Sequence, residues 1–188
     1  MPVRFDCHSC EQPWWSPPAN GCPRCGTHAV ATPDPIVWSV GRVPDTDVSI
    51  SGQLLDLERF HALVRAGFDA FVDVAGDLDY VWRPSAAEIR AARVRYVRVH
   101  GVEDTNLDLP DRAFAEVAAA LEPRVRTLLF CAAGLKRSPH LMYGVLRRRG
   151  DDSEAAWRRV QSARPFTAPF APYVAAAERW VSRASRPS

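Results

Sequence analysis

The run Cys131-Ala132-Ala133-Gly134-Leu135-Lys136-Arg137-Ser138 places a thiol, a glycine, a guanidinium and a hydroxyl in one short stretch. It follows Thr127-Leu128-Leu129-Phe130, which reads as a strand, and precedes a helix that opens at Ser138-Pro139. A loop between strand and helix turns several backbone amides toward one point, and the helix adds its positive end. The stretch therefore predicts an anion cradle built from Ala132, Ala133, Gly134, Leu135, Lys136 and Arg137. Gly134 removes a Cβ where the loop must approach an anion closely. Pro139 suits the first helical position, where a missing N–H costs nothing. Arg137 supplies a two-pronged donor for phosphate oxygens. The same positive surroundings favour a thiolate at Cys131, the form that attacks. A lone cysteine is more often a buried core residue; the company of Gly134, Arg137 and Ser138 favours the nucleophile.

C-x5-R-S between a strand and a helix resembles the signature of the protein tyrosine phosphatase superfamily, and its compact dual-specificity branch most closely. The resemblance covers about residues 36 to 183 and takes in Arg164-Pro165-Phe166, which is similar to the family's segment before its last helix. It implies a phosphomonoester hydrolase acting through phosphocysteine, with no metal in the chemistry. On this reading Cys131 is the nucleophile, Arg137 binds the phosphoryl group, and Ser138 helps the thiolate leave the intermediate. The family also needs a general acid on an earlier loop. Val102-Glu103-Asp104-Thr105-Asn106-Leu107-Asp108-Leu109-Pro110 lies there, and Asp104, in a similar Asp-Thr setting, aligns best. It would protonate the leaving oxygen and then activate water. Asp108 is the rival acid, although Asp108 and Asp111 also read as carboxylates at the start of the next helix. The chain departs from the family at Phe130, where a histidine usually supports the loop.

Four more cysteines fall in the first 25 residues, as Cys7-His8-Ser9-Cys10 and Cys22-Pro23-Arg24-Cys25, separated by 11 residues. Two C-x2-C turns bring four thiolates around one ion, so Cys7, Cys10, Cys22 and Cys25 predict a structural Zn2+ site. Residues 5 to 27 resemble a zinc ribbon or rubredoxin-like knuckle. Iron suits the same sulfur ligands, and two disulfides are the bland alternative in an oxidising compartment. His8 and His28 are expected to face solvent, since four cysteines fill the shell. Trp14-Trp15 between the pairs reads as packing on the knuckle or its neighbour, with partner binding as the other reading.

The elements that must position these groups follow from periodicity. Residues 1 to 30 carry little apolar pattern and need a staple; 31 to 35 (Ala-Thr-Pro-Asp-Pro) form a linker; 36 to 188 form the larger domain. Strands are expected at Ile36–Val40, Phe68–Val74, Tyr96–His100 and Thr127–Phe130. Helices are expected at Asp56–Ala66, Ser85–Arg93, Pro110–Leu121, Pro139–Arg149, Ser153–Ala163 and Pro172–Arg183. Strands alternating with helices predict an α/β fold with a largely parallel sheet covered by helices. Asp73, on a strand, and His61, on a helix, read as structural.

Composition narrows the classes. The 188 residues are 47% apolar and 24% charged, with a formal net charge of +2, which excludes whole-chain disorder, collagen and coiled coil. No apolar run reaches the roughly 20 residues that span a bilayer, and the start lacks a secretory signal, so a cytoplasmic protein is expected. Lys136 is the only lysine among 24 basic residues. It reads either as a solvated rim charge or as extra charge for a multiply phosphorylated substrate. Arg147-Arg148-Arg149 with Arg158 and Arg159 suits a helix end, with an RNA or acidic-lipid face as the minority reading.

The expected partner is a phosphorylated substrate, a phosphoprotein first, with a protein partner recruited through the ribbon as a further reading. Three rivals stand beside the phosphoprotein phosphatase. One is a catalytically weak phosphate-binding pseudo-phosphatase, favoured by Phe130. Another is a phosphatase for a phosphoinositide, nucleotide or RNA 5′-phosphate, favoured by Lys136. The last is a rhodanese-like sulfur transferase, which would not need Asp104.

Overall fold

A computed structural model describes residues 3–6, 13–16, 39–77, 79, 81–103 and 108–184. Near the N-terminus β1 (Val3–Asp6) pairs antiparallel with β2 (Pro13–Ser16), in the register Val3 to Ser16 and Asp6 to Pro13. Cys7 and Cys10 fall in the segment that joins these strands; all four N-terminal cysteines lie outside the described residues.

The larger unit alternates strands and helices: β3 (Gly41–Arg42), β4 (Val48–Ser51), α1 (Leu57–Arg65), β5 (Ala70–Asp73), α2 (Ala86–Ala92), β6 (Arg95–Arg98), α3 (Asp111–Ala120), β7 (Thr127–Phe130), α4 (Arg137–Arg148), α5 (Ser153–Ala163) and α6 (Ala171–Ala184). The sheet runs β3-β4-β7-β5-β6, with β4, β7, β5 and β6 mutually parallel and β3 antiparallel at one edge. The expected α/β class with a largely parallel sheet covered by helices is thus observed for the larger unit.

Of the strand expected at Ile36–Val40, Ile36, Val37 and Trp38 lie outside the described residues, and Ser39 and Val40 are irregular. Among the described residues the sheet starts at Gly41, and β7 lies between β5 and β4, a strand that periodicity missed. Helix α4 also starts at Arg137, two residues before Pro139, which sits in the first turn where its missing N–H breaks no helical bond.

Alternation along the strands sorts the core into two layers. Ile50, Val72 and Leu129 face α3 to α6 and pack with Phe114, Leu141, Val145 and Tyr173. Phe71, Leu128 and Phe130 face α1 and α2 and pack with Leu54, Phe60 and Leu63. Register then aligns the strand ends: Ser51 and Asp73 both sit opposite Phe130, and Arg98 sits opposite Asp73. The loops that follow these four strands gather at one edge of the sheet, where ligands of open parallel sheets bind.

Candidate active site

Cys131 follows the central strand β7 and is a buried free thiol. Its sulfur accepts hydrogen bonds from the Gly134 amide at 3.2 Å and the Ser138 hydroxyl at 3.3 Å. The loop is held from its outer side, carbonyl by carbonyl. The Ala132 carbonyl accepts from the Gln53 amide (3.1 Å), Ala133 from Arg164 Nη2 (3.0 Å), and Gly134 from Arg164 Nε (3.0 Å). The Leu135 carbonyl accepts from the Thr167 hydroxyl (3.1 Å), and Lys136 from the His140 amide (3.2 Å) and the His140 ring. No peptide bond among the described residues is cis. In a trans peptide the N–H opposes the C=O. Carbonyls fixed outward at 132 to 136 therefore turn the amides of Ala133, Gly134, Leu135, Lys136 and Arg137 inward, toward Cys131. The Gly134 amide on the sulfur is the direct sign of this.

Gly134 is required, but for a reason the sequence did not disclose. Its φ is +70°, and a Cβ would lie 2.5 Å from the backbone carbon and oxygen of Ser51. The close approach is to the end of β4 rather than to an anion.

Arg137 is 2% exposed and donates to the Val102 carbonyl at 3.0 Å and to Asp79 Oδ2 at 2.6 Å. Asp79, 9% exposed, also accepts from the Gly76 amide (3.0 Å). The loop carrying Asp79 is itself tied down by buried Asp73. That carboxylate accepts from Arg83 Nε (2.7 Å), the Tyr96 hydroxyl (2.9 Å) and the Ala75 amide (2.8 Å). Burial and the adjacent Asp73 carboxylate push the Tyr96 phenol far above its ordinary range, so it stays a donor. Asp73 thus has the structural role expected of it, and Asp79 is a positioning residue that periodicity could not reveal.

Asp104 lies outside the described residues. The two residues before it are bound to the site: Val102 through Arg137, and Glu103 through the Asp77 amide (2.7 Å). Asp108, the rival acid, is engaged by Arg179 at 2.6 and 2.7 Å, and Asp111 by Arg183, so both carboxylates serve α6.

His140 is a further missed residue. The Phe170 amide donates to its Nε2 at 2.9 Å, so the ring proton sits on Nδ1 and is donated to the Lys136 carbonyl. Burial pushes this imidazole down to about 4, which keeps it neutral and preserves that arrangement.

No protein-family model and no curated protein matches the chain. Solved structures do. Tk-PTP in its active form superposes with a TM-score of 0.63 at 22% identity, covering 78% of this chain and 98% of its own. A mouse dual specificity phosphatase, described as putative and complexed with zinc tungstate, gives 0.58 at 22%, covering 84% and 92%. The human tyrosine phosphatase-like serine/threonine/tyrosine-interacting protein gives 0.63 at 14%, covering 79% and 99%. The fold is that of the dual-specificity phosphatases.

Within this dual-specificity phosphatase fold, Phe130 is fully buried among the α1-side residues, with its ring edge-on to Tyr96. It contributes packing and no hydrogen bond to the loop. The Lys136 ammonium lies over the rings of Phe170 (4.4 Å) and Tyr173 (5.2 Å), so aromatic faces take up part of its charge. The other arginines singled out in the sequence are partnered too. Arg147 holds Glu178 through two nitrogens, Arg159 holds Asp151 and the Pro44 carbonyl, Arg149 the Leu121 carbonyl, Arg158 pairs with Glu154, and Arg148 stacks on Trp180. Among the described residues no cluster of His, Cys, Asp or Glu could hold a metal, and no helix is long and apolar enough to cross a membrane.

Proposed function

We propose that the chain is a cysteine-dependent phosphatase acting on phosphorylated polypeptides through a phosphocysteine intermediate. The observation that carries this reading is the row of five successive carbonyls clamped outward around Cys131. It supports a ring of amides and one buried guanidinium for a phosphoryl group poised above a nucleophile. Cys131 sulfur attacks phosphorus as the ester oxygen leaves; Asp104 gives that oxygen its proton. Asp104 then takes a proton from the water that displaces the thiolate, and the Ser138 hydroxyl stabilises the departing sulfur.

A polypeptide substrate is favoured over a polyphosphorylated lipid or nucleotide by the placement of the cations. Arg137, set by Asp79 and the Val102 carbonyl, is the cradle's own charge, while Lys136 lies over Phe170 and Tyr173 and Arg147, Arg158 and Arg159 pair with Glu178, Glu154 and Asp151. We assign Cys7, Cys10, Cys22 and Cys25 to a structural zinc ribbon at residues 1–30, joined by residues 31–35 to the phosphatase domain at 36–188. The pseudo-phosphatase reading retains one specific support: Phe130 gives the loop no donor.

Turnover of a small aryl phosphate between about pH 5 and 8 under reducing conditions decides between them. We expect wild type to hydrolyse it, Cys131→Ser to abolish turnover, and Asp104→Ala to lower kcat by about a hundredfold. An inert wild type that still binds phosphate would establish the binding protein instead.

A further inference from the structure

The segment between α5 and α6 combines two kinds of residue in an unusual way. Arg164 and Thr167 point inward and hold the carbonyls of Ala133, Gly134 and Leu135. Between and after them, Pro165, Phe166, Ala168 and Pro169 are all exposed, and Phe166 is 68% exposed, the most exposed of the large apolar side chains among the described residues. Surface loops ordinarily present polar groups, and an apolar patch maintained beside a binding site marks a contact surface. This ridge cannot drift from the cradle, because its anchors are the cradle's own clamps. Two prolines also limit its freedom, which lowers the entropy cost of ordering it against a partner.

The ridge continues into a groove. Pro169 lines a cavity of about 390 Å3 together with Trp157, Gln161, Val174 and Tyr143. Gln161 Nε2 donates to the Thr167 carbonyl at 3.4 Å, which joins the groove wall to the ridge. The only charged lining groups, Glu154 and Arg158, pair with each other. Cradle, ridge and groove thus adjoin one another in that order: an anion site, an apolar shoulder and a mostly apolar slot. A phosphorylated polypeptide fits that order of chemistries, with its phosphate in the cradle and neighbouring apolar side chains on the shoulder and in the slot. A sugar phosphate offers nothing apolar to place there, and a nucleotide offers a single base where shoulder and slot together take several side chains.

We infer that the exposed ridge at Phe166 and the groove behind it are the docking surface for the apolar residues that flank the phosphoresidue of a polypeptide substrate. This rests on the phosphatase reading of the cradle, and the test separates the two. Turnover is measured on p-nitrophenyl phosphate and on two phosphotyrosine peptides, one with leucines beside the phosphoresidue and one with serines in their place. Phe166→Asp and Pro169→Asp should each raise KM for the leucine peptide about tenfold with kcat unchanged. They should leave p-nitrophenyl phosphate and the serine peptide within twofold. Equal losses on all three substrates would mean the ridge only supports the cradle, and no loss on the leucine peptide would mean it contacts nothing; either overturns the inference. Peptide affinity is also measured by titration into Cys131→Ser. There the leucine preference, and its loss in Phe166→Asp, are read without turnover, so an inert wild type removes the enzyme reading while the docking surface is still judged.

Discussion

Arg164 shows how much a single buried side chain can determine. Its guanidinium reaches four acceptors: the Ala133 and Gly134 carbonyls and both oxygens of Ser39. A planar fork with five N–H groups can do this; an ammonium on a flexible stem cannot span the same set. Buried carbonyls left without a donor cost about 1–3 kcal/mol each, so the loop would rotate them toward solvent or toward the anion site. We therefore expect Arg164→Lys to weaken binding of inorganic phosphate tenfold or more while the protein stays folded, measured by competition against aryl phosphate turnover and by circular dichroism. Unchanged phosphate affinity would show that the clamp does not shape the cradle. Cys131, Arg137 and Ser138 were legible in the sequence because they are contiguous and their chemistry is local. Arg164 was noticed only as part of a family-like segment, and His140 and Asp79 not at all. Their roles depend on contacts such as Arg164 to Gly134, 30 residues away, or Asp79 to Arg137, which no local pattern encodes.

The helices and three of the strands were readable from apolar periodicity because most are amphipathic, start at recognisable caps such as Asp56 and Asp152, and stop at glycine or polar turns. Strand β4 was not. Val48-Ser49-Ile50-Ser51 alternates like a half-exposed strand, yet all four residues are buried because the sheet is covered on both faces. Ser51 resolves the polarity locally, its hydroxyl donating to the Gly52 carbonyl. At the same scale His140 fastens three elements: it lies in the first turn of α4, packs at a tilt against Trp157 of α5, and accepts from the Phe170 amide just before α6. Its pKa in the fold, about 4, is below the unfolded value of about 6.5. The unfolded chain therefore binds the extra proton, and stability is complete above about pH 6.5 and declines as pH falls toward 4. The loss attributable to this group approaches about 3 kcal/mol. Urea denaturation of wild type and His140→Asn at pH 7 and pH 4.5 should show the gap between them narrowing in acid. Parallel curves would refute the assignment.

For the molecule as a whole, the proposed ribbon and the larger unit predict two separate sources of order. The larger unit closes two apolar layers on its own sheet, whereas the zinc ribbon proposed for residues 1–30, with so little apolar pattern, would draw its folding energy from the metal. Metal analysis should find one zinc per chain, and Cys22→Ser should lose it while aryl phosphate turnover persists. A metal-free protein with an ordered N-terminal segment would remove the zinc assignment. The order of the strands has one more consequence, for crowding. A sheet grows into aggregates through unpaired edges. Here one edge, β3, offers only two residues, and its Gly41 lies so close to α5 that a Cβ would collide with the Ala163 carbonyl. The other edge, β6, is four residues long and bears Arg95 and Arg98, each paired to an acid. Neither edge of the five-stranded sheet is a template for strand addition, so copies of this chain are expected not to join through it at high concentration.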